Sequence, residues 1–241
     1  MGTDIHFYVE KRVNGIWVTA DTWYKDKEDG TLSTYDRDSS HYNRGGPYYT
    51  GRSYSLFSIL ADVRNGYGFA GCDTGDGYKP IAEPRGLPED VCKEVKDAFD
   101  EYGDGHSTSN LLLAEILNYD WTQTTKLRGV VNPAGFAEWC VRGMPSNFWG
   151  LVSGSNIKNV SNDVMSCVIK HKLGCTTIDY STMCKLKNAD KPLDDNSKYF
   201  TQVEWTVPYY ETAYDFWAKT IPQLLALGKP EDVRIVFWFD N

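Results

Sequence analysis

Ile5, Phe7 and Val9 alternate with Asp4, His6, Tyr8 and Glu10, and after Asn14-Gly15 comes a second short run, Ile16-Trp17-Val18-Thr19. Period-two alternation on both sides of an Asn-Gly pair predicts an antiparallel hairpin, because both residues tolerate the positive φ of a type I′ turn. In Tyr54–Arg64 the period lengthens: Leu56, Ile59, Leu60 and Val63 fall on one stripe behind Ser53, which predicts a capped helix. Pro88-Glu89-Asp90 opens a second helix with the stripe Val91, Val95, Ala98, Phe99 and Tyr102, stopped by Gly103. Ser107 or Ser109 is placed to cap a third helix through Leu111, Leu112, Ile116 and Leu117. Asn132-Pro133 starts a short fourth, with Phe136, Trp139 and Cys140 on one side, and a fifth runs from Ser161 to Leu173 before Gly174.

Thr201–Val207 alternates as a half-buried strand and ends at Pro208. Tyr214, Trp217, Ala218, Ile221, Leu224 and Leu225 form a further helical stripe with Thr212 as N-cap, which Pro222 should kink or restart. Val233–Phe239 is apolar on both faces and reads as a central strand covered on both sides. The expected fold is therefore α+β: an antiparallel or mixed sheet that includes the N-terminal hairpin and the C-terminal strand, packed with about five to six helices in a single domain over residues 1–241. Residues 21–51 hold no period and read as an irregular excursion with disorder near Lys25–Gly30, and 175–197 as polar surface loops.

Composition narrows the partners. Twenty-five Lys+Arg against 33 Asp+Glu, net −8, excludes a duplex nucleic acid, whose binding draws on neutralised phosphates. The start of the chain lacks a basic and then apolar leader, and no apolar run reaches membrane length, so a cytoplasmic protein without membrane contact is expected. The six cysteines include no C-x-x-C pair and read as reduced, mostly buried thiols. A homo-oligomer stays open.

Six of the 24 residues from Arg64 to Leu87 are glycine, interleaved with Arg64, Tyr67, Phe69, Asp73, Asp76, Lys79 and Arg85. Glycine lets a backbone approach a ligand closely, arginine forks suit phosphate, and aromatic faces stack on an unpaired base. Gly66-Tyr67-Gly68-Phe69-Ala70-Gly71 is not the Rossmann fingerprint, since it follows a helix instead of leaving a strand. With Arg52, His106 and Ser107 these residues make a candidate site for a small nucleotide-like ligand, with no catalytic residue and no cofactor assigned. The plainer alternative is that Asp73-Thr74-Gly75-Asp76-Gly77 is a pair of tight turns and Arg85 makes a salt bridge to Glu83 or Glu89. A second constellation, Asp4-Ile5-His6 and Asp104-Gly105-His106, offers oxygen and nitrogen ligands to a divalent metal and would suit a metal-dependent phosphodiesterase or related hydrolase. Its alternative is that Asp4, His6, Tyr8 and Glu10 are the solvated face of an edge hairpin.

The Asp4-Ile5-His6 start, the block from Gly51 to Gly66, the turn Pro84-Arg85-Gly86-Leu87-Pro88, Asp104-Gly105-His106-Ser107 and the ending Phe237-Trp238-Phe239-Asp240 together resemble a family of uncharacterised proteins encoded mainly in bacteriophage genomes. The resemblance implies an origin and carries no assigned residues. It implies, by context, a binder that sequesters a signalling nucleotide of bacterial immunity in the host cytoplasm. A separate alternative, read from the acidic, tyrosine-rich stretch Asp21–Tyr49, is an inhibitor that binds a host protein.

Overall fold

The computed structural model describes residues 2–25, 30–35, 47–187 and 198–240. In chain order the strands are β1 (Asp4–Val13), β2 (Ile16–Thr19), β3 (Tyr24–Lys25), β4 (Leu32–Ser33), β5 (His106–Leu112), β6 (Thr124–Val131), β7 (Ile157–Asn159), β8 (Lys198–Pro208) and β9 (Val233–Asp240). The α-helices are α1 (Tyr54–Ala61), α2 (Lys93–Tyr102), α3 (Leu113–Asn118), α4 (Pro133–Arg142), α5 (Asn162–Leu173), α6 (Tyr180–Lys187), α7 (Tyr209–Thr212) and α8 (Ile221–Leu225). The fold is mixed α+β, and it groups into two compact units: Met1–Asn65 with Tyr78–Gln123 and Pro208–Asn241, and Gly66–Gly77 with Thr124–Val207.

The first unit is built on a four-stranded sheet in the order β2-β1-β9-β5. Asn14 and Gly15 take φ of 50° and 83°, as the hairpin turn requires. β9 lies between β1 and β5, antiparallel to both, so the two ends of the chain pair directly: Asp4 faces Asp240 and Ile5 faces Phe239. Its residues alternate between two packed layers, which is why the segment is apolar throughout. Ile235, Phe237 and Phe239 enter the main core with Phe7, Val9, Phe57, Ile59 and Phe216. Val236 and Trp238 face the other way, onto Cys92 and Val95. Trp238 stacks on His6 and Tyr8 with centroids 5.5 and 5.0 Å apart and meets the edge of Phe99.

That second face corrects the reading of His6, Tyr8 and Glu10 as solvated, whereas Asp4 is exposed as read. Glu10 is fully buried opposite Arg234. Its carboxylate accepts from Arg234 Nε at 2.6 Å and from the Cys92 amide at 2.6 Å, while Arg234 Nη1 donates to Asp90 at 2.7 Å and the guanidinium lies 4.1 Å over the Trp17 ring. The same contacts explain why α2 begins at Lys93 and not at Pro88. The Asp90 carbonyl and the Cys92 amide are already taken by Arg234 and Glu10.

Three other expectations fail, one through pairing with a distant strand and two for local reasons. Ser107 and Ser109 do not cap a helix: 106–112 pair with β9 as β5, because Ser109 and Leu111 face the core beside Phe237 and Ile235. α1 stops at Ala61, since Asp62 turns left-handed with φ 59°. Thr212 ends α7 and donates to the Tyr209 carbonyl; from there a π-helical turn, Phe216–Thr220, leads into α8, which Pro222 restarts. The disorder expected near Lys25–Gly30 falls mainly on 26–29, outside the described residues.

The second unit carries a three-stranded sheet, β6-β8-β7, with β7 and β8 parallel. Val131, Val203, Trp205 and Val207 pack against Phe136 and Ala137 of α4 and Met165 and Ile169 of α5. Asn132 and Ser161 cap α4 and α5 as their sequences predict, with Gly174 closing α5. The segment 175–197 is not all loop: Thr182, Met183 and Leu186 of α6 are buried. Residues 188–197 lie outside the described residues. Glu138, almost fully buried, accepts from Lys187 at 2.7 Å and from the Ser146 amide at 2.8 Å; burial pushes its carboxyl up, but these partners outweigh it and hold it down at about 2.

Candidate functional site

The predicted ligand residues divide between the units. Arg52, Arg64, Lys79, Arg85, His106 and Ser107 belong to the first, and Tyr67, Phe69, Asp73 and Asp76 to the second.

In the first unit the three arginines of the predicted site are engaged internally. Arg85 forms a two-pronged pair with Glu115, at 2.6 and 3.0 Å, and Glu115 also accepts from the Leu112 amide at 2.9 Å. Arg85 thereby holds Glu115 below the ordinary carboxylate range. Arg85 is thus in a salt bridge, but with Glu115 of α3 and not with Glu83 or Glu89. Arg64, itself at φ 59°, donates to Thr3 Oγ1 at 2.8 Å and lies 5.7 Å over the Tyr54 ring. Arg52 pairs with Asp4 through both carboxylate oxygens. Lys79 is held by its backbone, with its amide donating to the Tyr209 hydroxyl at 2.9 Å and its carbonyl accepting from Tyr119. Asn65 and Tyr78 bond each other reciprocally at 2.6 and 2.7 Å and close the neck from which the glycine-rich segment departs.

The Asp-x-His units do not converge. His6 pairs across the sheet with Trp238, and His106 with Phe239. Consecutive residues of one strand point to opposite faces, so the two imidazoles lie on opposite sides of the sheet. His6 Nε2 sits 3.3 Å from Asp240, and His106 Nδ1 is 3.2 Å from Ser107 Oγ, where Ser107 has φ 50°. Among the described residues no three His, Cys, Asp or Glu side chains are grouped to hold a metal ion. All six cysteines are free; Cys92 is buried, but Cys140 and Cys167 are exposed, so the thiols are less buried than expected.

In the second unit the glycine-rich segment is ordered by backbone hydrogen bonds. Gly68 donates to Cys72 and Thr74 to Gly66, forming a small hairpin whose tip carries Phe69. Beyond it the chain runs along β6, where Asp76 donates to the Lys126 carbonyl and Arg128 to the Thr74 carbonyl, both at 2.9 Å. Gly75 is required by that approach. A Cβ there would sit 2.9 Å from the Leu127 Cα and closer still to the Lys126 carbonyl oxygen, and its φ is 136°.

Strapping the segment to β6 delivers Asp73 and Asp76 to Arg128, a residue absent from the predicted site. Arg128 Nε donates to Glu204 at 2.6 Å, Nη2 to Asp76 at 2.6 Å and Nη1 to both Asp73 oxygens at 3.2 Å. Glu204, and after it Asp73, raise the guanidinium pKa further above its already high value. The surrounding open groove, about 520 Å³, is lined by Asp73, Arg128, Trp139, Asn162, Gln202 and Glu204. Trp139 is fixed as a wall by its indole N–H, which donates to the Glu204 carbonyl at 2.8 Å, and Asn162 accepts from Thr201 at 2.7 Å. Three carboxylates around one guanidinium leave a surplus of negative charge, and their exposure, about half in each case, leaves acceptor lone pairs facing solvent. The groove is thus an acceptor-rich slot with an aromatic wall. Phosphate is poorly matched to it, because its arginine is already neutralised by carboxylates.

A comparison of the chain with protein-family models, with curated proteins and with solved structures finds no match to any of them.

Proposed function

We propose that the chain is a non-enzymatic binding protein whose second unit takes a small nucleoside-like ligand in the Arg128 groove. The observation that carries the reading is the lining itself: Trp139 as a face for a planar ring, Asp73 and Glu204 as acceptors for hydroxyls or an exocyclic amine, and Gln202 and Asn162 as two-way amides. Compared with the sequence expectation, the ligand keeps its base and ribose and loses its phosphate contacts. Sequestration of an anionic signalling nucleotide, the role that the phage resemblance implies, draws no support from this groove, and a metal-dependent hydrolase draws none from Asp4, His6, Asp104 and His106.

Isothermal titration with adenosine, cytidine, guanosine and their 5′-monophosphates tests the reading. A nucleoside is expected to bind more tightly than its monophosphate, and Glu204→Gln and Trp139→Leu should each weaken that binding by about tenfold. Absence of nucleoside binding, tighter binding of the monophosphates, or an unchanged Kd in both variants refutes it.

A further inference from the structure

The hairpin of residues 66–74 presents its aromatics to solvent: Tyr67 is 59% and Phe69 63% exposed. A second exposed apolar run, Phe148-Trp149-Gly150-Leu151, lies against it, since a Cβ at Gly150 would meet the Cys72 side chain at 3.5 Å and Cys72 is bonded to Phe69 across the hairpin tip. Trp149 is pinned to Val130 by two backbone hydrogen bonds of 2.7 and 2.9 Å and packs edge-on against Phe200, while Phe148 packs on Trp205. Both segments are therefore held in place by backbone ladders, yet Leu151 remains 68% and Trp149 43% exposed. Contiguous apolar surface on ordered backbone marks a contact site for another molecule.

Charge decides which kind. Tyr67 stands cross-strand from Asp73, so the apolar surface borders the three half-exposed carboxylates that share Arg128; among the described residues the other cation within 4 Å of them is Lys126, 3.9 Å from Glu204. Three negative charges meet two positive ones there, in a chain whose net charge is −8. A second copy of the chain would bring the same sign to the contact, whereas a basic partner completes the cluster.

We propose that this surface docks a protein partner through a segment that sets lysine or arginine side chains beside apolar ones, the apolar groups covering Phe69 and Leu151 and the cation meeting Asp73 and Asp76. The surface is separate from the nucleoside reading in its test, because Phe69 and Leu151 do not line the groove.

The probe is an array of short randomised synthetic peptides, bound by the full chain and by Phe69→Ser/Leu151→Ser. Peptides retained by the wild type and lost by the double variant are expected to be enriched in Arg or Lys next to aliphatic or aromatic residues. Affinity for a representative peptide should fall at least about tenfold in the double variant and only a few-fold, with a weaker salt dependence, in Asp76→Asn. Thermal unfolding and nucleoside titration of the double variant should match the wild type, which separates loss of docking from loss of fold or of the groove. The proposal is overturned if no peptide binds, if bound peptides are indifferent to the substitution, or if they are neutral or acidic. It is also overturned if sedimentation velocity shows a dimer that the double variant dissolves, which would assign the surface to a second copy.

Discussion

Replacing Asp21 by asparagine is expected to abolish a pH dependence of stability that the wild-type protein shows between pH 4 and 7. Asp21 is buried; one carboxylate oxygen accepts from the Val9 amide at 2.7 Å, and the other has no hydrogen-bond partner among the described residues. Burial raises its pKa from 3.8 to about 7, with the nearby Glu10 charge adding to the shift and the Val9 hydrogen bond opposing it. The folded state therefore holds a proton that the unfolded state has already released. By linkage, stability falls by about 1.4 kcal/mol per pH unit from roughly pH 4 to 7 and then levels, a total of about 4 kcal/mol. In Asp21→Asn the amide oxygen keeps the Val9 bond and the NH₂ takes the unpartnered position, at a cost of about 1–3 kcal/mol that does not vary with pH. The variant should thus be less stable than wild type at pH 4 and equal to it or more stable at pH 8. Urea unfolding of both proteins at a series of pH values, with hydrogen exchange at the Val9 amide as the readout of the first unit, gives the difference of differences. Carboxylates such as Glu138 titrate alike in both proteins and cancel. A change in the wild-type-minus-variant difference below about 1 kcal/mol between pH 4 and 8 would refute the assignment.

Arg234→Met should cost about 3–5 kcal/mol in the urea midpoint, because it strands the buried Glu10 carboxylate, whereas Glu10→Leu combined with Arg234→Met should recover most of that loss. Gly75→Val should detach the hairpin from β6, costing about 1–3 kcal/mol and removing hydrogen-exchange protection at the Asp76 and Arg128 amides; retained protection would contradict the close approach. Breaking the capping bond by Asn132→Ala should lower stability by about 1 kcal/mol, read by thermal unfolding, with nucleoside binding weakened only as far as α4 frays toward Trp139.

Much of the fold was legible because local chemistry and tertiary packing agree there. Asn14-Gly15, Asn132-Pro133 and Ser161 with Gly174 act through bonds within a few residues, and the doubly apolar Val233–Phe239 announces a strand with a layer on each face. Where reading failed, a distant partner decided. Leu111, Leu112 and Ile116 suit a helix stripe, yet pairing with β9 draws 106–112 into the sheet. Glu10 looks solvated on its own strand and is buried only because Arg234, 224 residues away, lies opposite. Two of the acids around Arg128, Asp73 and Asp76, belong to the predicted site, but there they stand with the arginines at 64 and 85. The arginine that gathers them is Arg128, and a signal for it existed in Thr124–Val131, where buried Thr125, Gly129 and Val131 alternate with outward-facing residues. Glu204 was visible in the alternation of β8 as an outward-facing residue, though nothing local tied it to the glycine-rich segment.

The pairing of β1 with β9 sets an order of events during synthesis. Among the described residues β1 and β5 are joined only through β9, so the two halves of the first sheet stay apart until Val233–Asp240 has been made. The second unit, by contrast, has all of its residues once Val207 has emerged. A nascent chain halted before Val233 would carry all residues of the second unit but a first unit whose core lacks Ile235, Phe237 and Phe239, and it would be a substrate for chaperones and proteases. Closure of the first unit accordingly waits on β9.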